Sequence, residues 1–455
     1  MVLPAGVVDC NRVAPGRRRA DSRGMLVQGR RFAVQAALVA RVYAGYKLVQ
    51  MARRLRLVDT AESLRRQHQR SAEAIFAMAT RLEGLPIKVC QFLGSRADIL
   101  PDEYVRILSQ LQDQVPPRPF ETLRPTVEQS WGQSIEAVCV EFDVIPVAAA
   151  SLAQVHRARL RDGRDVAVKI QYPEVADLVT TDLQNFAVLV GLLGRLEPDF
   201  DFTVLLKEIR KLVPLELDFE NEAANARRVQ GLLRARTDIL VPPLVDELCG
   251  PKVLVSDFAE GVRVTDVAAL RRFGLDPRDV AARLTDVFCQ MILVHGFFHG
   301  DPHPGNILVQ RDGRLVLLDF GLAKEFEPEF RAGVVRITMA IMGGDHAQVA
   351  AAFRAIGFRT KHPSDETLAM LGETFLGFIV RNNKAYADAD LIKQFNESLP
   401  PALKANPIVE IPSDILLLGR VMGLLSGVSK QLGSEVDVGA TIMPYLVGGG
   451  VGASA

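Results

Sequence analysis

Residues 295–309 read HGFFHGDPHPGNILV, and residues 319–321, a short distance downstream, read DFG. Phosphoryl transfer from ATP needs a carboxylate beside the attacking oxygen, oxygen ligands for Mg²⁺ and a cation on the phosphates. An aspartate, an asparagine five residues later and a strand pair that ends in Asp-Phe-Gly supply the first two of these needs. We therefore predict that Asp301 orients or deprotonates the nucleophile. Asn306 and Asp319 offer the amide and carboxylate oxygens that suit Mg²⁺.

The same loop supports a different chemistry, because histidines and an aspartate alternate along it. His299, Asp301 and His303, with His295 just upstream, could form a transition-metal cluster in a metal-dependent hydrolase. Against this, two prolines fix a bent loop in which an imidazole can equally hydrogen-bond a backbone carbonyl. The hydrolase hypothesis requires stoichiometric zinc or iron in the protein, and it stays open at this point.

A lysine that could serve the phosphates lies upstream. Residues 166–169 read VAVK and predict a buried strand that ends in Lys169, where a kinase lobe places the amine that binds the α- and β-phosphates. The segment expected to cover the phosphates is rich in alanine, whose methyl groups hinder the close backbone approach that glycine allows. We therefore expect phosphate binding to differ from that of an ordinary protein kinase. The residues of this segment are Ala148, Ala149, Ala150 and Ser151.

Hydrophobic periodicity divides the chain into helical and strand-like stretches. Helices are predicted over residues 61–114, 121–131, 173–196, 205–234 and 280–294, and strands over 138–142, 153–160, 165–171, 240–246, 252–258, 307–310 and 315–318. The first strands form a small antiparallel sheet, and helix dominates beyond residue 261. A β-rich half followed by an α-rich half predicts an α+β fold with two lobes and a cleft where they meet.

The composition is that of an ordinary globular protein. Of the 455 residues 48% are hydrophobic and 24% are charged, which excludes a disordered or fibrous chain. A formal net charge of zero argues against a protein that coats nucleic acid. The five cysteines form no CxxC pair, so neither a zinc ribbon nor a disulfide framework is indicated, and a reducing compartment is expected.

The charge is unevenly distributed along the chain. Residues 1–60 contain twelve Arg and Lys against three Asp, a charge of +9, so the remainder carries −9. Residues 32–52 are apolar but interrupted by Arg41 and Lys47, which would be costly at the centre of a bilayer. They predict a helix that lies on an anionic membrane, and the alternative is an ordinary helix packed on its own domain.

Together these motifs resemble those of the UbiB/AarF group of atypical kinases. Residues 85–96, LPIKVCQFLGSR, are similar to the KxGQ helix of that group, and residues 216–225, ELDFENEAAN, to its ExD motif and adjoining helix. The resemblance extends over residues 82–431. It implies a two-lobed protein-kinase-like fold with an N-terminal helical extension over the active cleft.

The resemblance assigns roles around the nucleotide. Lys169 is expected to bind the phosphates of ATP or ADP and to pair with Glu222. These two residues are expected to act in catalysis together with Asp301, and Mg²⁺ is the expected metal cofactor. Residues 254–259 correspond to the hinge against adenine, with Asp257 and Ala259 beside the base. A carboxylate cannot pair with adenine unaided, so backbone groups of the hinge are expected to do so.

The resemblance also implies a substrate class. Lys88 and Gln91 are expected to lie over the cleft in which protein kinases bind peptide, with Lys88 facing Glu216 and Asp218. An occluded cleft favours a small or lipidic substrate, or ATP hydrolysis coupled to another task, over protein phosphorylation. The group is associated with ubiquinone and other isoprenoid-lipid metabolism in bacteria, mitochondria and plastids. The resemblance therefore implies the cytoplasmic face of the inner membrane if the protein is bacterial, and a mitochondrion or plastid if it is eukaryotic. We expect an atypical kinase or ATPase with a lipid or quinone-precursor ligand, peripheral membrane contact, lipid-biosynthesis proteins as partners and no nucleic acid. The alternative is a non-catalytic, nucleotide-switched scaffold for a lipid-biosynthesis assembly.

Two features depart from that group. Cys90 occupies the third KxGQ position, where glycine is usual, and its side chain could tighten or displace the helix. The tail ends in a glycine-rich run and lacks the spanning helices that some bacterial members carry, so peripheral membrane contact is expected. The predicted organisation is a basic, membrane-associating segment (1–60), the helical extension (61–120), the N-lobe (121–262), the C-lobe (263–430) and a flexible tail (431–455).

Overall fold

The computed structural model describes residues 17–55, 60–94, 100–112, 116–197, 203–372, 406–410, 412–434 and 438–448. The chain forms two compact units, each assembled from segments that are distant in sequence. The first unit comprises Met1–Leu123, Pro146–Gln154 and Gln171–Leu217, and the second comprises Arg124–Ile145, Val155–Ile170 and Asp218–Ala455. The five domains delimited from the sequence stay a prediction.

Helices and strands follow one another in runs along the described chain. The α-helices are α1 (Arg17–Arg54), α2 (Thr60–Leu82), α3 (Leu85–Gly94), α4 (Asp102–Leu108), α5 (Arg124–Trp131), α6 (Ile135–Val138), α7 (Val175–Leu196), α8 (Thr203–Glu216), α9 (Phe219–Leu232), α10 (Val267–Arg272), α11 (Pro277–Cys289), α12 (Pro328–Gly343), α13 (His346–Ala355), α14 (Asp365–Gly372), α15 (Ser413–Gln431) and α16 (Val438–Gly448). The strands are β1 (Cys139–Phe142), β2 (Ala148–Ala149), β3 (Ala153–Leu160), β4 (Asp165–Gln171), β5 (Ile239–Leu240), β6 (Val253–Asp257), β7 (Val262–Arg263), β8 (Phe297–Phe298), β9 (Ile307–Val309), β10 (Leu315–Leu317), β11 (Lys324–Glu325), β12 (Arg359–Thr360) and β13 (Ile408–Glu410).

The first unit is helical. Helix α3 packs against α2, α4, α7 and α8, and α1 packs against α2 and α7. Apolar side chains spaced three and four residues apart on α2, α3 and α4 interlock in one buried cluster. Its members include Ala72, Ala79, Ile87, Cys90, Leu108 and Leu111. The KxGQ-like helix is therefore a fixed part of a packed core.

A buried ion pair joins α1 to α7. The Nε and Nη2 atoms of Arg31 donate to the two carboxylate oxygens of Asp182, at 3.0 and 2.5 Å, and Gln35 Nε2 donates to the Oδ1 atom at 3.0 Å. Asp182 is 1% exposed, and a charge removed from water in this way must be paired and hydrogen-bonded. This part of α1 packs as an ordinary domain helix does, which is one of the two alternatives that the sequence left open.

The second unit contains the predicted antiparallel sheet, in the order β1-β3-β4-β6. Strand β1 pairs with β3 and β6 pairs with β4, both antiparallel, and Lys169 of β4 lies opposite Leu254 of β6. Buried and partly exposed residues alternate along β4, so Lys169 points away from the buried Val166 and Val168. The prediction of a small antiparallel sheet is confirmed.

A second sheet positions the motif residues. Its order is β5-β10-β9-β7, with β9 and β10 antiparallel and β5 parallel to β10. The hairpin β9-β10 starts directly after Asn306 and ends two residues before Asp319, so the fold brings these two positions to the same end of the hairpin. The core beneath it includes Phe288, Phe298, Ile307, Leu317, Val421 and Leu425.

Three predictions of secondary structure are corrected. The helix expected over 205–234 breaks into α8 and α9, because the Asp218 side chain accepts a hydrogen bond from Asn221 N and starts a new helix. The strand expected over 240–246 is only Ile239–Leu240, because two prolines that lack an N–H follow at 242 and 243. The helix expected to run to residue 294 changes into a π-helix over Gln290–His295.

The described part of the predicted flexible tail is ordered. Helix α16 docks on α11, where the Tyr445 hydroxyl donates to Asp286 Oδ1 at 2.5 Å. Ile442 and Leu446 are buried in a cluster with Cys289. Residues 438–448 therefore form a helix that buries apolar side chains against a partner that the short sequence segment alone did not indicate.

Candidate active site

Lys169 is held by a buried carboxylate of the second unit. Its Nζ atom lies 2.7 and 2.8 Å from the two carboxylate oxygens of Glu222, which is 3% exposed on α9. The Nζ atom also lies 3.2 Å from Asp319 Oδ2 and 5.2 Å from the centre of the Phe219 ring. Burial alone would lower the pKa of Lys169, but the charges of Asp319 and Glu222 outweigh it and raise that pKa above its usual value. The ammonium stays charged and fixed.

The Asp-Phe-Gly turn has a defined backbone. Asp319 has a φ of 62°, in the left-handed region that aspartate tolerates better than most residues. Asn225 Nδ2 donates to the carbonyl oxygen of Phe320 at 3.0 Å, and the Phe320 ring is buried. The Asp319 side chain is 45% exposed, so its carboxylate combines contact with Lys169 and access to solvent. Such a carboxylate is suited to bind a cation together with a phosphate.

The loop around Asp301 is organised by His299. The His299 ring accepts a hydrogen bond from Asp301 N at Nδ1, 3.0 Å, and its Nε2 atom donates to the Leu318 carbonyl at 2.8 Å. His299 is 1% exposed, and both of its ring nitrogens are used. Asn306 Nδ2 donates to the Asp301 carbonyl at 3.1 Å, so the amide oxygen is the atom of that side chain that could hold a metal ion. The loop residues are thus fixed relative to the strand that precedes Asp319.

One glycine of the loop has a steric reason. A Cβ atom on Gly300 would lie 2.0 Å from the carbonyl oxygen of Leu322, well inside van der Waals contact. The catalytic loop therefore crosses the segment after the Asp-Phe-Gly turn at a distance that only glycine permits. This explains why the residue before Asp301 has no side chain.

The hydrolase hypothesis loses its metal cluster. Among the residues that the structure describes, no group of three or more His, Cys, Asp or Glu side chains is arranged to hold a metal ion. His299 uses both ring nitrogens in the loop, and His303 Nδ1 accepts a hydrogen bond from Gly305 N at 3.1 Å. The imidazoles shape the loop, as the second explanation proposed. Mg²⁺ has different needs, since it binds through one or two protein oxygens together with phosphates.

Sequence reasoning missed one residue of the site. Arg420, on α15, places its Nη2 atom 2.9 Å from Asp301 Oδ1. The two side chains are 24% and 21% exposed, and the helix around Arg420 packs into the apolar core through Leu418 and Val421. The available signal was a single arginine among the apolar residues of 415–425, which would be costly to bury without a carboxylate partner.

The hinge offers specific backbone groups. Asp257 N donates to the Pro243 carbonyl at 2.8 Å, and Phe258 N donates to the Asp165 carbonyl at 2.9 Å. These two amides are therefore engaged within the fold. Ala259 follows them directly, beyond the end of β6.

Lys88, Gln91 and Glu216 lie in the first unit. Lys88 forms an ion pair with Glu216, and both side chains are largely buried. Gln91 Nε2 donates to the Leu111 carbonyl at 2.9 Å, which ties α3 to the turn after α4. Cys90 is 1% exposed, and burial raises its pKa to about 12. The core accommodates this side chain.

Asp218, the second acid of the ExD motif, belongs to the second unit. Its carboxylate caps α9 by accepting from Asn221 N at 2.9 Å, so the two acids of the ExD motif have separate tasks. In the alanine segment, Ala148 and Ala150 are exposed and Ala149 is partly exposed, whereas Ser151 is buried. Ala150 N donates to the Ala153 carbonyl at 2.8 Å, which makes the segment a tight turn.

The donor set of the second unit fits Mg²⁺ and a polyphosphate. Asp319 supplies a partly exposed carboxylate, Asn306 an amide oxygen, and Lys169 a fixed ammonium. Hard oxygen ligands match Mg²⁺, and the ammonium matches phosphate oxygens. Asp301, held by Arg420 and by the loop, completes a set that can serve phosphoryl transfer.

The chain is similar to known proteins in sequence and in fold. A family model described as the ABC1 atypical kinase-like domain matches residues 110–353. AarF domain-containing protein kinase 1 of Xenopus tropicalis is 34% identical over 384 residues, which cover 83% of this chain and 73% of the relative. The Arabidopsis thaliana protein Activity of BC1 Complex Kinase 8, chloroplastic, is 31% identical over 394 residues, covering 79% of this chain and 51% of the relative. The solved Rv3197–erythromycin complex from Mycobacterium tuberculosis is similar with a TM-score of 0.56 and 25% identity, covering 84% of this chain and 97% of that chain.

Proposed function

This chain belongs to the ABC1 atypical kinase-like family, the UbiB/AarF group, and on that premise we propose that it binds Mg-ATP or Mg-ADP and acts as an atypical kinase or ATPase. One observation carries the proposal. The Lys169 ammonium contacts both oxygens of Glu222 and one oxygen of Asp319, within a unit that also holds Asp301 and Asn306 in one hydrogen-bonded loop. Kinases assemble these residue types for phosphoryl transfer.

Each side chain then has one task. Lys169 binds the α- and β-phosphates, and Glu222 keeps it oriented. Asn306 and Asp319 hold Mg²⁺, which neutralises charge on the phosphates when it is bound. Asp301 accepts a hydrogen bond from the attacking hydroxyl or water and orients it toward the terminal phosphorus. Adenine pairs with the hinge at Ala259, because the amides of the two preceding residues already donate within the fold.

We further propose that the acceptor is a small or lipid-like molecule and that the protein acts in, or regulates, isoprenoid-quinone or related lipid metabolism at a membrane surface. The family supports this, as does the rigid KxGQ-like helix with its Lys88–Glu216 pair. The name of one relative refers to the bc1 complex and to the chloroplast, which fits an organellar location or, in a bacterium, the cytoplasmic face of the membrane. The similar mycobacterial protein was solved in complex with erythromycin.

Turnover by the purified protein tests the proposal. Mg²⁺-dependent ATP hydrolysis should be measured with and without lipid vesicles for the wild type, Asp301→Asn and Asp319→Asn. A matched control is Asp312→Asn, since Asp312 is an exposed aspartate of the β9-β10 turn in the same unit. We expect the first two variants to lose turnover and the control to keep it. If the wild type binds nucleotide but hydrolyses no ATP, either with or without lipid vesicles, the result would favour the scaffold alternative.

A further inference from the structure

Large apolar side chains face solvent on the C-terminal halves of α1 and α7. Those on and just after α1 are Leu48, Met51 and Leu55, which are 61%, 55% and 61% exposed. Those on α7 are Val188, Leu192 and Leu196, which are 59%, 51% and 48% exposed. Within each set the residues recur every three or four positions, so each set forms a stripe along one side of its helix. We call the two stripes, together with the exposed side chains beside them, the α1–α7 surface.

The two helices lie side by side and run parallel. Near the middle of α1 Arg31 bonds Asp182 in the N-terminal half of α7, and nearer the end of α1 Lys47 forms an ion pair with Glu197, the residue after α7. These contacts are sixteen residues apart on α1 and fifteen apart on α7, which is about 22–24 Å along each axis. The residue after Lys47 and the residue before Glu197 each belong to a stripe. The two stripes therefore meet at this ion pair.

The α1–α7 surface carries positive charge. The exposed basic residues on or beside the stripes are Arg41, Lys47, Arg54 and Arg195. The sequence has no acidic residue over 28–55 or over 183–196. Glu197, at the edge, is neutralised by hydrogen bonds from Lys47 and Tyr43, which lower its pKa. The surface thus combines exposed leucine, valine and methionine with arginine and lysine alone.

This combination identifies the occupant. Contiguous exposed apolar side chains on a monomer mark an interaction site, and a protein partner would leave the basic residues to be matched by acids of its own. An anionic bilayer matches both the apolar and the basic side chains, because the apolar stripes are buried at the acyl boundary and the anionic headgroups attract the arginine and lysine side chains. We propose that the α1–α7 surface docks this protein on an anionic lipid bilayer, with both helices lying in the interface.

The buried ion pair favours docking over spanning. Helix α7 is the one helix of the described residues that is long and apolar enough to cross a membrane, by length and composition. However, Asp182 lies within it and is bonded to Arg31 and Gln35 of α1. Insertion would separate this carboxylate from its partners or bring them into the hydrocarbon, and both are costly. The pair holds α7 against the domain and leaves only its C-terminal half for the lipid.

This inference rests on the proposed membrane location and needs no step of phosphoryl transfer. It is tested by flotation of the purified full chain with vesicles of phosphatidylcholine alone or with phosphatidylglycerol. The wild type should bind the anionic vesicles, less at high salt, and bind the neutral ones weakly. Met51→Glu and Leu192→Glu should each weaken binding at least about tenfold. Each replaces an apolar side chain that the docked bilayer would bury by a carboxylate that the anionic headgroups repel. Val140→Glu is the matched control, since Val140 is 55% exposed on β1 in the second unit.

The outcomes separate the claims. All variants must keep the elution volume and melting temperature of the wild type. If Met51→Glu and Leu192→Glu bind anionic vesicles as Val140→Glu does, the α1–α7 surface is not the docking site, while the membrane location stands. If the wild type binds no vesicle, both fail, and the ATP turnover test is unaffected. If the two variants change the oligomeric state but not vesicle binding, the occupant is a second copy of the chain and the proposal is overturned.

Discussion

Replacing Arg420 by methionine tests how Asp301, the proposed catalytic aspartate, is held. Arg420 Nη2 lies 2.9 Å from Asp301 Oδ1, and neither side chain is more than a quarter exposed. A hydrogen bond between charged groups in such a setting contributes about 1.5–3 kcal/mol. If the contact orients the carboxylate for the nucleophile, its loss should lower kcat by roughly 10- to 150-fold. The KM for Mg-ATP should change little, because Arg420 contacts Asp301 and is not one of the residues proposed to bind the nucleotide.

The assay is steady-state ATP hydrolysis at saturating Mg²⁺. Arg420→Lys should recover part of kcat, since it keeps the charge but not the guanidinium geometry. Lys430→Met is the matched control, because Lys430 is an exposed cation near the end of the same helix. Equal kcat values for Arg420→Met and Lys430→Met, or an effect confined to KM, would refute this role for Arg420. A melting temperature measured for each variant separates lost orientation from lost folding.

Three further changes test the site and the fold. Glu222→Gln removes the counter-charge of Lys169 and should lower kcat/KM for Mg-ATP at least about tenfold, whereas unchanged kinetics would contradict the pairing. Burial lowers the pKa of His156, so the folded state binds a proton at this residue less readily than the unfolded state does. The free energy of unfolding in urea should therefore fall as the pH drops below about 6.5. A rise in that free energy would contradict the prediction. Arg31→Met strands the buried charge of Asp182 and should destabilise the protein by about 3–5 kcal/mol, with part of it recovered on adding Asp182→Leu; a melting temperature equal to the wild type would contradict the buried pair.

The sequence predicted those parts of the site that are local in the chain. Asp301, Asn306 and Asp319 fall on one loop and one hairpin, so their spacing alone places them together. The antiparallel sheet that carries Lys169 was also readable, because valine-rich stretches alternate with turn residues. The pairing of Lys169 with Glu222 followed only from the family resemblance, since 53 residues separate them.

Contacts between distant segments could not be read from the pattern. Arg420 is 119 residues from Asp301, and nothing in its neighbourhood resembles a motif. The same limit hid the packing of α16 on α11 and the bond from Arg31 to Asp182, 151 residues away. The basic N-terminal stretch predicted a helix that lies on a membrane, but only the structure shows that the C-terminal part of this helix pairs with the end of α7. Charge and periodicity describe one segment at a time, whereas these features depend on two.

The most direct test of the central claim is calorimetric titration of the purified protein with ATP and ADP, with and without Mg²⁺. We predict that the wild type binds nucleotide and that Mg²⁺ tightens the binding. Asp319→Asn should lose most of the Mg²⁺ effect while it keeps its fold. Absence of nucleotide binding, or binding that Mg²⁺ changes equally in the wild type and in Asp319→Asn, would contradict the account.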